Sequence, residues 1–273
     1  MGDAMSRSAE FFKAEEYELG ERFLKDGYVI AAVEDMENLR WIRETVAVSA
    51  GRQLAVHSGD TGSFLDRIHE NMPVADLNNL RLQIINKLNT EESSRPRYYS
   101  LARQSLAALV GNELAMQLRL NLSIQFPGDD SSLLPVHADV WSGDSPFEVV
   151  VWLPLVDCHG SKSMFLLPPT YTQALHERFA EYRNKSSEDL YQDIKEDLEW
   201  IEIKYGEVLL FNQNLPHGNR VNTENETRWS INCRFKSVFS PYGDKKLGEF
   251  FEPVTLRPAS RVGMQYRYPG SKT

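Results

Sequence analysis

The sequence predicts an α+β fold in which antiparallel strands form a barrel or sandwich and helices cover one side of it. Apolar residues recur at helical spacing in the first third of the chain, whereas alternating and short apolar runs dominate after Gly111. A chain of 273 residues can bury a sizeable core, and no repeat or linker divides it. We therefore expect a single domain over 1–273, with a helical part at about 8–111, a strand core at about 115–240 and a helical insertion at 170–198.

The elements of the N-terminal part are predicted from periodicity and from turn residues. Helical spacing continues up to Gly27, which is a natural C-terminal cap, and the run YVIAAV follows as a short strand. The charged segment 91–99 is expected to be a solvated loop. Further helical stretches are expected near residues 36–50, 74–89 and 98–111.

The strand region opens on residues 115–126, where apolar and polar side chains alternate strictly, which predicts one long strand. Its polar face either lines a pocket or forms a solvated outer surface, and the pattern leaves both open. The helical insertion that follows later has a serine-capped helix start near Ser186. Further strands are expected at FEVVVWLPLV, SMFLLP, WIEIK, EVLLF and WSINCRFKSVF.

Composition restricts the classes of function. The net charge of −9 argues against a nucleic-acid partner, because phosphate binding requires a basic face. The chain contains no apolar run of about 18 residues and no signal-like start, so we expect a soluble cytoplasmic protein without membrane contact. Cys158 and Cys233 are expected to be two buried, reduced thiols. Nothing in the sequence indicates an oligomeric state.

Three residues are candidate metal ligands. His137 and Asp139 are separated by one residue on an extended segment, so their side chains project to the same side. His217 follows an apolar strand at a strand-to-turn junction. Two histidines and one carboxylate leave octahedral positions open, which favours non-haem Fe(II) over a structural zinc site. The remaining histidines are expected to be ordinary core or surface residues: His57, His69, His159 and His176.

An arginine provides a second, independent signal. Arg228 begins the strand RWSINCRF, and its guanidinium can form two parallel hydrogen bonds with the carboxylate of a keto-acid cosubstrate. Ser230 faces the same side and can donate a third hydrogen bond. Arg220 lies too close to the rim for this role, and Arg234 lies deeper along the same strand.

Taken in order, His137-x-Asp139, His217 and Arg228-x-Ser230 resemble the Fe(II)/2-oxoglutarate-dependent oxygenases, and most of all their phytanoyl-CoA-dioxygenase-like branch. The segments FLKDGYVIAAVED and VVWLPLVDCHGSKSMFLLPPTY are similar to segments of that branch. The turn HGSKS departs from the usual Gly-Gly, and the helical insertion is a second departure. A narrower resemblance is to oxygenases encoded among bacterial surface-carbohydrate genes.

This resemblance implies a double-stranded β-helix (a jelly-roll, cupin-like core) with the N-terminal helices packed on the major sheet. It implies Fe(II) at the three candidate ligands, with 2-oxoglutarate and O2 as cosubstrates. Arg228 and Ser230 would bind the distal carboxylate of 2-oxoglutarate, with Gln125 as a further contact. Hydroxylation is the expected reaction, with desaturation, ring formation and epimerisation open. The carboxylate of Asp139 disfavours halogenation, since related halogenases lack it.

The substrate is expected to be a small polar metabolite such as a sugar or sugar derivative. Trp141, Asn212 and Asn214 flank the candidate ligands and are predicted to line its pocket. Two alternatives remain: a cupin-like metal-dependent dioxygenase or isomerase that does not use 2-oxoglutarate, and a non-catalytic jelly-roll module that binds carbohydrate. The substrate mouth is expected to be built by the segments 51–73, 91–99 and 170–198.

Overall fold

Two antiparallel sheets organise the protein in a computed structural model, which describes residues 11–54 and 59–270. In chain order the strands are β1 (Tyr28–Ala32), β2 (Leu114–Gln117), β3 (Asn121–Gln125), β4 (Glu148–Pro154), β5 (Phe165–Leu166), β6 (Glu199–Trp200), β7 (Glu207–Asn212), β8 (His217–Gly218), β9 (Arg228–Ser237) and β10 (Phe251–Pro253). The large sheet has the order β1-β7-β4-β9-β2-β10, and β3 also pairs with β9. The small sheet has the order β6-β5-β8.

Helices precede and interrupt the sheets, and this mixture of helices with antiparallel sheet confirms the predicted α+β class. The first helix ends at Gly27, whose φ of 78° is the left-handed conformation of a C-terminal cap. Ser186 caps the helix Ser187–Ile194 as predicted, because its side chain accepts a hydrogen bond from Asp189 N. The expected helical start at 8–10 lies outside the described residues. The helices are α1 (Ala14–Asp26), α2 (Met36–Leu54), α3 (Thr61–Asp66), α4 (Leu77–Thr90), α5 (Ser94–Ser100), α6 (Arg103–Leu109), α7 (Pro169–Glu177), α8 (Ser187–Ile194) and α9 (Pro258–Gln265).

The prediction of one long strand over 115–126 is wrong, because a bulge separates β2 from β3. Met116 pairs with Phe235, whereas Asn121 pairs with Asn232, so four residues of one chain segment face two of the other. Two extra residues keep the alternation of side chains in phase, which is why the sequence pattern runs through the bulge. The Asn89 side chain holds the bulge by accepting from Leu120 N (2.8 Å) and donating to Leu120 O (3.0 Å).

The prediction of a solvated loop at 91–99 is also wrong, since helix α5 occupies most of this segment. The burial of Tyr98 is the physical reason. Its hydroxyl lies 2.8 Å from Val151 O and 3.1 Å from Ile231 O, and it donates its proton to these backbone carbonyls of β4 and β9. The predicted helix near 98–111 is divided into α5 and α6.

The two faces of the large sheet have different environments. Val151 and Ile231 belong to the same buried cluster as Ile42 of α2 and Ile84 of α4, so the helices pack on this face. The alternate residues of β4 and β9 point the other way and line a cavity, among them Val150, Trp152, Asn232 and Arg234. The sheet thus carries the helical core on one face and the cavity on the other, while α4 contributes to both: Ile84 to the core and Arg81 to the cavity wall.

Cys158 and Cys233 are both free and buried, as predicted. Burial raises the pKa of each thiol to about 12, so neither forms a thiolate at neutral pH. Among the described residues, no helix combines the length and the apolar character needed to cross a bilayer.

We predict that Tyr98→Phe lowers the free energy of unfolding by about 1–3 kcal/mol, because the substitution removes a buried hydroxyl donor from two backbone carbonyls. Urea unfolding followed by circular dichroism measures the change. Tyr99→Phe is the matched control, since no hydrogen bond of its hydroxyl is found among the described residues. Equal stability of Tyr98→Phe and the control would contradict the role assigned to this hydroxyl.

Candidate active site

A reciprocal pair of backbone hydrogen bonds brings the two candidate histidine ligands together. His137 N donates to His217 O (3.0 Å), and His217 N donates to His137 O (2.8 Å). The two imidazole rings lie 4.3 Å apart between their centroids. Strand β8 also pairs with β5, where Leu166 is the partner of His217. The small sheet therefore fixes the backbone position of this histidine.

Each imidazole is oriented by a backbone carbonyl. His137 Nδ1 lies 2.8 Å from Pro135 O, and His217 Nδ1 lies 2.8 Å from Leu215 O. A carbonyl oxygen only accepts, so Nδ1 carries a proton in both rings, and in the neutral form of each ring Nε2 then has the free lone pair. This is the tautomer that binds a metal through Nε2.

Asp139 is buried beside the histidines, and its two oxygens have different environments. Arg234 Nη2 donates to Oδ2 over 2.8 Å, whereas Oδ1 lies 3.7 Å from His137 Nε2. The backbone is fixed as well, because Asp139 N donates to Gln213 O over 3.1 Å. Arg234 therefore holds one carboxylate oxygen and leaves the other facing the histidines.

The charge state of this cluster suits a divalent cation. Burial opposes ionisation of Asp139, but the neighbouring His217 and Arg234 outweigh it and lower the pKa of the carboxyl. Burial, together with His137, lowers the pKa of His217 to about 4, so this imidazole is neutral at neutral pH. An ionised carboxylate and neutral imidazoles are the forms that bind metals.

The three predicted ligands are brought together: the donor atoms of His137, Asp139 and His217 lie within 4.8 Å of one another. Within residues 11–54 and 59–270, they are the one such group of three or more histidine, cysteine or carboxylate side chains. His69 instead pairs with Thr227 (2.9 Å), and His57 lies outside the described residues. Two histidines and one carboxylate with free donor atoms fit Fe(II) in a facial site.

The cluster opens on a cavity of about 710 Å³ that Arg228 and Ser230 also line. Arg228 is 2% exposed, and it donates to Ser163 O (3.1 Å) and to Ser123 Oγ (2.9 Å). Its Nε has no hydrogen-bond partner among the described residues. Burial lowers the pKa of Arg228 to about 10, which leaves the guanidinium protonated at neutral pH.

The partners of the three nearby arginines distinguish their roles. Arg220 pairs with Glu188 over 2.6 Å, and Arg234 pairs with Asp139. In the part of the chain that the structure describes, Arg228 contacts only neutral oxygens. Of the three, Arg228 is thus the buried cation whose charge no carboxylate of the described residues balances.

Ser230 and Gln125 lie beside Arg228. Ser230 Oγ is buried in the cavity wall without a partner among the described residues. Gln125 pairs with Arg228 across β3 and β9, and its Nε2 donates to Arg220 O over 2.6 Å, while its Oε1 has no described partner. Gln125 is not part of the cavity wall, but Asn121 and Ser123 on the same face of β3 are. The polar face of β3 therefore faces the pocket rather than solvent.

The structure does not bring Trp141, Asn212 and Asn214 to the cavity wall. Trp141 packs on Phe179 of the insertion, with 4.8 Å between the ring centroids. Asn212 Oδ1 accepts from Asn214 N (3.0 Å), and Asn214 Nδ2 donates to Pro146 O (3.1 Å). These two amides stabilise the turn after β7.

The cavity mouth differs from the one expected. No described residue of 51–73, 91–99 or 170–198 lines the cavity. Residues 74–85 and 131–134 line it instead. Sequence reasoning missed Arg81, although a signal was present: Leu77, Arg81 and Ile85 are spaced by four residues and share one face of α4.

Comparisons with known proteins identify the fold. The apo form of ThoJ, described as a non-heme monooxygenase, has a TM-score of 0.53 and 15% identity, with 82% of this chain and 79% of that chain covered. SnoN, described as a non-heme alpha ketoglutarate dependent epimerase from nogalamycin biosynthesis, has a TM-score of 0.51 and 16% identity, with 86% of each chain covered. HygX from Streptomyces hygroscopicus, with nickel and 2-oxoglutarate bound, has a TM-score of 0.49 and 15% identity, with 85% and 89% covered.

The chain therefore shares the fold of a non-heme monooxygenase and of a non-heme alpha ketoglutarate dependent epimerase, which confirms the resemblance at the level of the fold. No protein-family model matches the sequence, and a search of curated proteins gives no match.

We predict that His217→Ala weakens binding of Co(II) by more than about 100-fold, above the range that loss of an outer hydrogen bond produces. Equilibrium dialysis followed by metal analysis measures the affinity. His176→Ala is the control, because His176 lies on the exposed side of α7 and packs against Phe179. Retention of wild-type affinity by His217→Ala would exclude this cluster as the metal site.

Proposed function

We propose that this protein is an Fe(II)/2-oxoglutarate-dependent oxygenase. One observation carries the proposal: the cluster of His137, Asp139 and His217 shares a cavity with Arg228, a buried cation that has no described carboxylate partner. The likeness of the fold to an alpha ketoglutarate dependent epimerase and to a non-heme monooxygenase supports the same class.

His137, Asp139 and His217 would hold Fe(II), and Arg228 with Ser230 would hold the distal carboxylate of 2-oxoglutarate. Bound Fe(II) with 2-oxoglutarate and O2 supplies the oxidising power for attack on a C–H bond, with succinate and carbon dioxide as co-products. Pro135 O and Leu215 O accept hydrogen bonds from the Nδ1 atoms of His137 and His217. These hydrogen bonds orient the two rings so that their Nε2 atoms point away from the carbonyls.

Because the described hydrogen-bond partners of Arg228 are neutral, its positive charge is available to bind the dianion 2-oxoglutarate. Ser163 O and Ser123 Oγ hold the guanidinium in place while leaving its charge uncompensated. A carboxylate that binds there removes the cost of a buried, unpaired cation and gains charge-assisted hydrogen bonds. Ser230 Oγ and Gln125 Oε1, which have no described partners, lie in the same region, and the Ser230 hydroxyl is available to donate.

We further propose that the two sheets form a double-stranded β-helix and that the chain is one catalytic domain. Hydroxylation of a small polar metabolite, such as a sugar derivative, is the expected reaction, and Asp139 disfavours halogenation. The cupin-like alternative keeps the metal but leaves Arg228 without a role. The carbohydrate-binding alternative leaves both the metal cluster and Arg228 without one.

We predict that the wild-type protein, titrated anaerobically with Fe(II) and 2-oxoglutarate, develops a weak visible charge-transfer band. Arg228→Ala should need about 30-fold more 2-oxoglutarate or more to reach the same intensity, because it removes a buried charged partner of the cosubstrate. Arg220→Ala is the matched control: it removes another arginine of the same region, but one that pairs with Glu188.

The absence of the band in wild type, with iron shown to bind, would contradict the cosubstrate assignment and favour the cupin-like enzyme. A band with equal 2-oxoglutarate dependence in wild type and Arg228→Ala would still support a 2-oxoglutarate-dependent enzyme. It would show that Arg228 does not bind the cosubstrate.

A further inference from the structure

Positively charged side chains outnumber negatively charged ones in the cavity wall. In the part of the chain that the structure describes, the wall contains three arginines and one carboxylate: Arg81, Arg228, Arg234 and Asp139. The protein as a whole has a net charge of −9, so this excess of positive charge is local to the cavity. A positive cavity in an acidic protein favours an anionic ligand.

Loading the proposed cofactors does not remove the excess. Fe(II) brings two positive charges and 2-oxoglutarate brings two negative ones, so the balance of the cavity is unchanged. Arg234 is engaged by Asp139 and also lies 3.6 Å from Asp144 Oδ1, and Arg228 would be engaged by 2-oxoglutarate. Arg81 is therefore the cavity arginine that remains for another partner.

Arg81 lies at the open end of the cavity. It is partly exposed, whereas Arg228 is 2% exposed. The described contact of its side chain is neutral, because Nη2 donates to Asn78 Oδ1 over 2.7 Å. Ser131 and Ser132 line the same cavity, and Ser131 is exposed while Ser132 is partly exposed, as expected at a mouth.

The surroundings of Arg81 are apolar along its own helix. Leu77 and Ile85 precede and follow it by one helical turn, and all three line the cavity. Leu133 and Leu134 add apolar surface to the wall. The part of a ligand that neighbours the charged group can therefore pack against these four hydrocarbon side chains, which lie beside the polar Asn78, Ser131 and Ser132.

We infer that the substrate is an anion, carrying a carboxylate or phosphate group next to an apolar segment, and that Arg81 binds this group at the cavity mouth. The inference rests on the proposed function, since it assigns Arg228 to the cosubstrate. It narrows the substrate class from any small polar metabolite to acids and phosphate esters.

The test measures binding of small probes to the full chain loaded with Zn(II) and 2-oxoglutarate, so that Arg228 is already occupied. Hexanoate and hexyl phosphate are compared with neutral hexanamide by saturation-transfer NMR titration. Both anions should bind wild type about tenfold more tightly than hexanamide, as expected for a hydrogen-bonded charged group. The tighter of the two anions identifies the group as carboxylate or phosphate.

Arg81→Gln should lose this preference while its affinity for hexanamide stays unchanged. Lys87→Gln is the matched control, because Lys87 is a cation of the same helix that pairs with Glu91 and does not line the cavity. The inference is overturned if hexanamide binds wild type as tightly as the anions, if Arg81→Gln keeps the preference, or if neither anion binds at millimolar concentration.

A 2-oxoglutarate titration of Arg81→Gln separates this inference from the proposed function. An unchanged 2-oxoglutarate affinity agrees with a role for Arg81 toward substrate, whereas a weakened one would assign Arg81 to the cosubstrate and overturn the inference. If wild type does not bind 2-oxoglutarate at all, the proposed function fails, and the same probes on the Zn(II) form still decide whether Arg81 selects anions.

Discussion

The paired backbone hydrogen bonds between His137 and His217 are the constraint on which the site depends. They join a loop that follows β3 to the short strand β8, and they place the partly exposed imidazole of His137 against the buried imidazole of His217. Both rings donate a hydrogen bond from Nδ1 to a backbone carbonyl, so both Nε2 atoms face one region beside Asp139. Neutral imidazole nitrogens and a carboxylate oxygen held together in this way are the donor set that a divalent cation would use.

Electrostatics extend this constraint through the cavity. Asp139 is shared between the prospective metal and Arg234, so its charge offsets only part of the positive potential. Arg228 is fixed by neutral oxygens deep in the wall, and Arg81 lies at the mouth. The cavity therefore presents positive charge both in its interior, at Arg228, and at its mouth, at Arg81. This arrangement fits a dianionic cosubstrate in the interior and an anionic substrate at the mouth. The large sheet makes this possible because its other face, packed against the helices, carries the hydrophobic core.

Much of this could be predicted from sequence, for identifiable reasons. The order and spacing of His137, Asp139, His217 and Arg228 were sufficient to propose the site, because ligand residue types at strand ends are local signals. The bulge between β2 and β3 could not be recognised from the sequence, because two inserted residues preserve the alternation of side chains. The cavity mouth was missed because the lining residues of α4 are defined by how that helix docks on the sheet, which no local pattern records.

Diffraction from crystals grown anaerobically with Fe(II) and 2-oxoglutarate, with anomalous data collected at the iron edge, would locate the metal and the cosubstrate together. We expect one iron peak within coordination distance of His137 Nε2, Asp139 Oδ1 and His217 Nε2. We also expect the distal carboxylate of 2-oxoglutarate to lie against the Arg228 guanidinium. An iron peak elsewhere, or a 2-oxoglutarate whose distal carboxylate lies on Arg81 or Arg234, would contradict the proposed site.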